Sequence, residues 1–291
     1  MTINEAPVST KTDPAVRIGQ ELETSRIGFG AMRLGDADVW QGPTDRLAAV
    51  DIVRRAADLG VTLFDTADAY NLGASEEIVG EALAGREDVI IVSKAGVTRP
   101  GPSLEEWIPL GRPEYLKQQA ELSLRRLGVE QIPVYLLHRV DPDVPLADQV
   151  GALKDLQDAG KVGHIGLSLV TKEQIQQASA VAPIAVVQNL YNLATRQDGD
   201  VVDYCESEGI VYMPFFPIAI GELAQPGGVV AQVADEVGAT PAQVALSWLL
   251  HRSPVIAPIP GTRSAHHLAE NVGALDVELS DEQLLRLVER Q

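Results

Sequence analysis

Asp65, Tyr70, Lys94 and His138 stand at the ends of apolar runs: Asp65 and Tyr70 in VTLFDTADAY, Lys94 in DVIIVSK and His138 in PVYLLH. A carboxylate, a phenol, an ammonium and an imidazole brought together can hold a carbonyl oxygen and protonate it, which is the chemistry of aldehyde or ketone reduction. A free tyrosine titrates near pH ~10, too high for easy proton donation, and a cation within a few ångströms lowers that value by favouring the phenolate. Lys94 is the expected cation. A buried ammonium needs a counter-charge, and Asp65 is the expected partner. His138 would orient the carbonyl oxygen and stabilise charge developing there. Singly, each has a plainer reading: Asp65 as a turn former, Tyr70 as packing, Lys94 as a solvated strand end, His138 as a buried imidazole. Their recurrence at successive strand ends favours one common site.

Eight apolar runs supply those ends: 27–32, 61–65, 89–94, 134–138, 164–168, 185–189, 210–214 and 254–260. Runs apolar on both faces belong in a covered parallel sheet. Between them lie helix-period segments. In RLAAVDIVRRAADLG, Val50, Val53 and Ala57 share a face and Gly60 is the expected left-handed stop. ATPAQVALSWLLHR opens with Thr240 as N-cap and Pro241 in the first turn, and SDEQLLRLVER starts on a Ser280 cap. Eight strand and helix units close into an α/β fold of the (β/α)8 TIM barrel type, with catalytic residues at the C-terminal strand ends. VRIGQELETSRIGF reads as a short N-terminal hairpin closing one end, and the final helix is an extra one. The expected organisation is a mobile tail over residues 1–15 and a single barrel over 16–291. A doubly wound open sheet is the runner-up, weakened because GFGAMRLG lacks the G-x-G-x-x-G spacing.

Composition narrows the functional classes. The 291 residues carry 23 basic and 41 acidic side chains, a net charge of -18, which disfavours nucleic acid and anionic membranes as partners. No apolar run approaches the roughly 18 residues of a membrane span, and the polar first twenty residues lack the apolar core of a signal peptide, so a cytoplasmic protein is expected. The lone Cys205 has no metal-ligand neighbours and reads as a packed thiol; no metal site is expected.

The motif set resembles the aldo-keto reductases over nearly the whole chain. FDTADAY is similar to the family's FDTAxxY, IVSK to its lysine strand, YLLH to its histidine strand, GKVGHIGLS to GKVRxIGVSN, VVQNLYN to QxxYN, and IPGTRSAHHLAEN to its cofactor-binding tail. The resemblance implies Tyr70 as general acid-base, Lys94 and Asp65 as the charge pair behind it, and His138 as substrate orienter. It implies NADPH in extended form, with Ser168 and Gln188 at the carboxamide and Tyr212 stacked on the nicotinamide. Thr262, Arg263, Ser264, His267 and Asn271 would follow the adenosine 2'-phosphate and adenine. A helix start carrying GTRS is a sensible phosphate site in its own right. Two departures stand out: Leu169 replaces the family's Asn after Ser168, and His267 replaces a basic residue. NADPH preference over NADH then rests chiefly on Arg263.

Trp40, Trp107, Phe215 and Phe216 are the expected walls of the substrate pocket, suited to a flat aromatic aldehyde. VQNxYN and YMPFFPI resemble the branch that reduces pyridoxal to pyridoxine, which makes pyridoxal the first named substrate. Two other classes stay open. One is a non-catalytic NADP(H)-binding redox sensor that docks a partner. The other is a Schiff-base barrel, which would need Lys94 free of Asp65.

Overall fold

The computed structural model describes residues 13–35, 39–103, 106–218 and 227–289. Most of the expected N-terminal tail, residues 1–12, lies outside them. Strand β1 (Ala15–Ile18) already takes the tail's last residue and pairs antiparallel with β2 (Leu22–Ser25). Then follow β3 (Phe29–Gly30), β4 (Leu63–Asp65), β5 (Ile90–Ala95), the short antiparallel pair β6 (Val97–Thr98) and β7 (Ile108–Pro109), β8 (Ile132–Leu137), β9 (Val162–Ser168), β10 (Ile184–Gln188) and β11 (Val211–Tyr212). Seven of these make one curled parallel sheet in the order β11, β10, β9, β8, β5, β4, β3.

Helical crossovers link the parallel strands, as parallel pairing requires. They are α1 (Arg46–Asp58), α2 (Ala74–Leu83), α3 (Pro113–Leu127), α4 (Leu146–Asp158), α5 (Lys172–Ser179) and α6 (Gly199–Glu208), with α7 (Val229–Val237), α8 (Pro241–Arg252), α9 (Ala265–Gly273) and α10 (Asp281–Glu289) toward the C-terminus. Their ends follow local chemistry. Asp45 accepts from the Ala48 amide at the head of α1, and Thr240 forms a capping box with Gln243 ahead of Pro241 in α8. Ser280 exchanges the same two hydrogen bonds with Gln283. Gly60 takes the positive φ of 89° expected after α1. Cys205 is buried in α6, where burial pushes its thiol up to about 12, so it stays a protonated packing group.

Alternation along the strands sorts side chains into two cores. Leu63, Ile90, Val92, Val134, Leu136, Val186, Val211 and Met213 form an inner cluster, joined by Val16 and Ile18 of β1. Phe64, Ile91, Tyr135, Leu137, Leu167, Val187 and Tyr212 face outward against the helices. Successive strand residues point to opposite faces, so Asp65, Lys94 and Gln188 share the inner parity of Leu63, Val92 and Val186.

The eighth expected strand, 254–260, departs from the ladder seen elsewhere. Only Ile256 forms a β-bridge, to Tyr212. The cause is proline, which has no N–H to donate. Pro258 and Pro260 serve as acceptors alone, taking the Gly28 and Gly30 amides at 2.9 and 3.1 Å, while the Ala257 amide donates to the Tyr212 carbonyl at 2.8 Å. The segment therefore bonds both edges of the seven-stranded sheet. Space at this seam demands glycine: a Cβ on Gly30 would fall 2.6 Å from the Ile259 oxygen. Buried Arg26 ties the same region, donating to the Ile256, Leu250 and Ser253 carbonyls at 3.1, 2.6 and 2.5 Å.

Candidate active site

Three adjacent strands, β4, β5 and β8, deliver the core of the site. Lys94 reaches both oxygens of Asp65, at 2.8 and 2.9 Å, from the neighbouring strand. Its ammonium also donates to the Thr66 carbonyl at 2.7 Å and to the Tyr70 hydroxyl at 3.1 Å. Those partners use all three N–H donors of the ammonium, which removes the free lysine that a Schiff base requires. Tyr70 lies just beyond β4, in a turn where Asn71 and Leu72 adopt positive φ of 52°. The Asn71 side-chain amide donates to the Gln41 carbonyl at 2.6 Å and so pins that turn. His138 follows β8, its ring edge-on to Tyr70 with centroids 5.7 Å apart.

Electrostatics at this cluster differ from the expectation for the phenol. Burial pushes Tyr70 up from its ordinary value, and the Lys94 ammonium opposes that without overcoming it. The expected lowering is not found in the protein alone, because burial outweighs the lysine's field and Asp65 offsets part of that field. Burial works against the Lys94 charge as well, but Asp65 and Tyr70 outweigh it and keep the ammonium protonated. Burial, with the Lys94 and Arg139 charges behind it, holds His138 well below its ordinary value, so the imidazole is neutral. Its Nδ1 is buried without a hydrogen-bond partner among the described residues.

A cavity of about 390 Å³ opens over these groups, lined by Asp65, Tyr70 and His138 together with Ser168, Gln188 and Gly30. Trp107, Phe215 and Phe216 complete part of its wall. The Gln188 amide donates to Asp65 at 2.8 Å, so it braces the carboxylate and presents its own carbonyl as the remaining polar group. Leu169 also lines the wall, 45% exposed and at φ 55°, a left-handed conformation that costs a branched residue roughly 1–2 kcal/mol.

Two expected placements are corrected. Tyr212 is not among the cavity residues; it is fully buried on the outer face, edge-on to Tyr191, with its hydroxyl 3.2 Å from Asp198. Its position in β11 has the outward parity, and the cavity aromatic is instead Phe215, three residues on. Trp40 does not line the cavity either. It packs on the Arg99 guanidinium at 5.1 Å, and Arg99 in turn lies 4.8 Å from the Trp107 ring, so Trp40 supports the wall from behind.

The tail residues Thr262, Arg263, Ser264, His267 and Asn271 lie beyond Gly261, the last cavity residue. Ser264 caps α9 by accepting from the His267 amide at 3.3 Å, and Thr262 accepts from the Ser264 amide at 3.0 Å. Arg263 reaches the Gly35 carbonyl at 3.3 Å, across the seam, while Asn271 is buried within α9. Two charged cavity residues were not singled out in the sequence: Arg33, three residues past β3, and Arg139, directly after His138. Adjacency to His138 was a readable signal for the second.

A buried lysine, its carboxylate, a phenol and an imidazole thus meet at one mouth of a curled parallel sheet. The chain belongs to the aldo/keto reductase family, whose model matches residues 26–290. It is 40% identical over 288 residues to an uncharacterized oxidoreductase of Schizosaccharomyces pombe, covering 99% of this chain and 93% of that protein. It is also 40% identical over 270 residues to the pyridoxine 4-dehydrogenase of Escherichia coli, covering 90% and 93%. Among solved structures, an aldo-keto reductase from Klebsiella pneumoniae in complex with NADPH superposes with a TM-score of 0.81 at 31% identity, over 95% of this chain and 94% of that one. No helix among the described residues is long and apolar enough to cross a membrane.

Proposed function

We propose that this protein reduces an aldehyde or ketone to an alcohol with NADPH, Tyr70 donating the proton. The observation that carries this is the Lys94 ammonium, bonded at once to the Asp65 carboxylate and the Tyr70 hydroxyl at the cavity wall. Burial keeps the phenol protonated in the resting protein. As the carbonyl oxygen takes up the phenol's proton, the adjacent ammonium stabilises the tyrosinate left behind, an interaction that strengthens only as charge develops. His138, neutral, is a hydrogen-bond donor to the same oxygen through Nε2.

The residues present fit a nicotinamide cofactor. NADPH, when bound, supplies hydride to the carbonyl carbon. Ser168 and the free carbonyl of Gln188 suit its carboxamide, and Phe215 is the aromatic placed to pack against the ring. The capped start of α9, with Arg263 beside it, suits the 2'-phosphate, because helix N-termini and guanidinium groups both favour phosphate. Segment 254–260 is read as the eighth stave of a (β/α)8 barrel spanning 16–291, with the β1–β2 hairpin as its floor.

Pyridoxal is the first substrate proposed, supported by the 40% identity to the Escherichia coli pyridoxine 4-dehydrogenase. The test is a panel of aldehydes and ketones including pyridoxal, followed by loss of the reduced cofactor's absorbance. Cofactor turnover with no member of the panel would overturn the reductase reading. Turnover of others but not pyridoxal would overturn the substrate alone.

A further inference from the structure

Among the described residues, three charged ones line the cavity: Asp65, Arg33 and Arg139. The Asp65 charge is already answered by Lys94 and Gln188, so the wall presents two guanidinium groups and no unpaired carboxylate among its described residues. That is an unusual wall for a chain of net charge -18, whose surface as a whole repels anions. Arg33 is solvent-exposed and makes no hydrogen bond or ion pair with any described residue. Arg139 spends one N–H on the Trp107 carbonyl at 2.7 Å, while its Nε is buried without a partner among the described residues. Leaving a buried guanidinium donor unsatisfied is costly unless something else meets it. Much of the rest of the wall, including Met32, Trp107, Phe215 and Ile218, is apolar.

Resting on the reductase reading above, we infer that the cavity prefers carbonyl compounds that carry an anionic group, a carboxylate or a phosphoryl, over counterparts that lack it, pyridoxal included, with Arg33 and Arg139 recognising the anion while the apolar body packs on the aromatic wall. Guanidinium groups suit both anions because their N–H fork matches two oxygens at once. The two arginines reach the cavity wall from strands well apart in the sheet, one after β3 and one after β8. An anion entering between them gains from both, and a neutral aldehyde of the same shape gains from neither.

The test compares matched substrates: 4-carboxybenzaldehyde against methyl 4-formylbenzoate, and pyridoxal 5'-phosphate against pyridoxal. The wild-type protein should favour the charged member of at least one pair by about tenfold or more in kcat/KM, the scale of a charge-assisted hydrogen bond. The pair showing it tells carboxylate from phosphoryl recognition. Added salt should shrink the preference. Arg33→Gln should lower the ratio about tenfold, and Arg139→Lys, which keeps the charge but not the fork, should lower it less. A wild-type ratio near one for both pairs, or a ratio unchanged in Arg33→Gln, would overturn the inference while leaving the reductase reading intact. So would a loss of NADPH affinity in Arg33→Gln at constant ratio, which would make Arg33 a cofactor contact. If no aldehyde is reduced, the reductase reading falls, and calorimetric binding of 4-(hydroxymethyl)benzoate decides: equal affinity in wild type and Arg33→Gln rules the anion site out.

Discussion

The Lys94 ammonium and the Asp65 carboxylate meet on neighbouring strands at 2.8 Å, with the lysine side chain wholly out of solvent and that of Asp65 3% exposed. Removing one partner from such a pair strands the other charge. Lys94→Met and Asp65→Leu should each cost about 3–5 kcal/mol, and the double variant less than the sum of the two. Urea unfolding of the four proteins checks it; additive losses would mean the pair is not coupled.

Tyr70→Phe keeps the ring packing against His138 and Trp107 and deletes only the hydroxyl. It should cut kcat by about 10²- to 10⁴-fold, the range of a general acid. NADPH affinity, measured by fluorescence titration, should stay close to wild type. Full activity in this variant would end the proton-donor role.

His138 makes a pH prediction with a definite sign. In the unfolded chain its imidazole takes up a proton as pH falls through about 6.5. In the folded chain burial and the Lys94 and Arg139 charges keep it neutral there. The unfolded state then binds more protons, so this contribution to stability is present above that pH and is lost as pH falls through it. His138→Gln should flatten the dependence of unfolding free energy between about pH 7.5 and 5.5. An unchanged slope would assign the acid loss to other groups.

Leu169 holds a left-handed backbone conformation with its side chain half exposed. Asn tolerates that conformation better, so Leu169→Asn should stabilise the fold by about 1 kcal/mol. The added amide should also tighten NADPH binding. Calorimetric unfolding and cofactor titration read the two effects separately, and a destabilised variant would show that the leucine's apolar contacts outweigh its strain.

Tyr212 and Phe215 test the strand parity directly. Tyr212→Phe should cost about 1 kcal/mol through its lost hydrogen bond and leave cofactor affinity alone. Phe215→Ala should weaken NADPH binding measurably. The opposite pattern would return the ring-packing role to Tyr212.

The comparison of these two aromatics shows what was legible in the sequence. Asp65, Lys94 and His138 could be placed because each follows a run of buried apolar residues, so its strand end is marked by a change of polarity. Tyr212 has no such marker. One residue of uncertainty in a strand's phase turns a side chain from the cavity to the helix layer, and VYMPFF offers aromatics at both phases. The prolines in 254–260 were visible, yet their effect on the ladder depends on which neighbours must donate. Trp40 and Arg139 sit in loops and Arg33 ends a single 3-10 turn, Ala31–Arg33, where no periodicity says which way a side chain points. The phenol's behaviour was misjudged for a different reason: proximity to a lysine is readable, whereas the opposing weight of burial and of Asp65 needs the packed site.

Gly30 and Gly261 lie back to back where the sheet's first strand meets the proline-bearing segment, and both also front the cavity. The join with the fewest backbone donors is thus part of the ligand wall. A molecule seated there would touch β3 and the 254–260 segment together and fasten one to the other. Amide exchange at Gly28 and Gly30 should therefore slow on cofactor addition more than exchange in the middle of β8, far from that join.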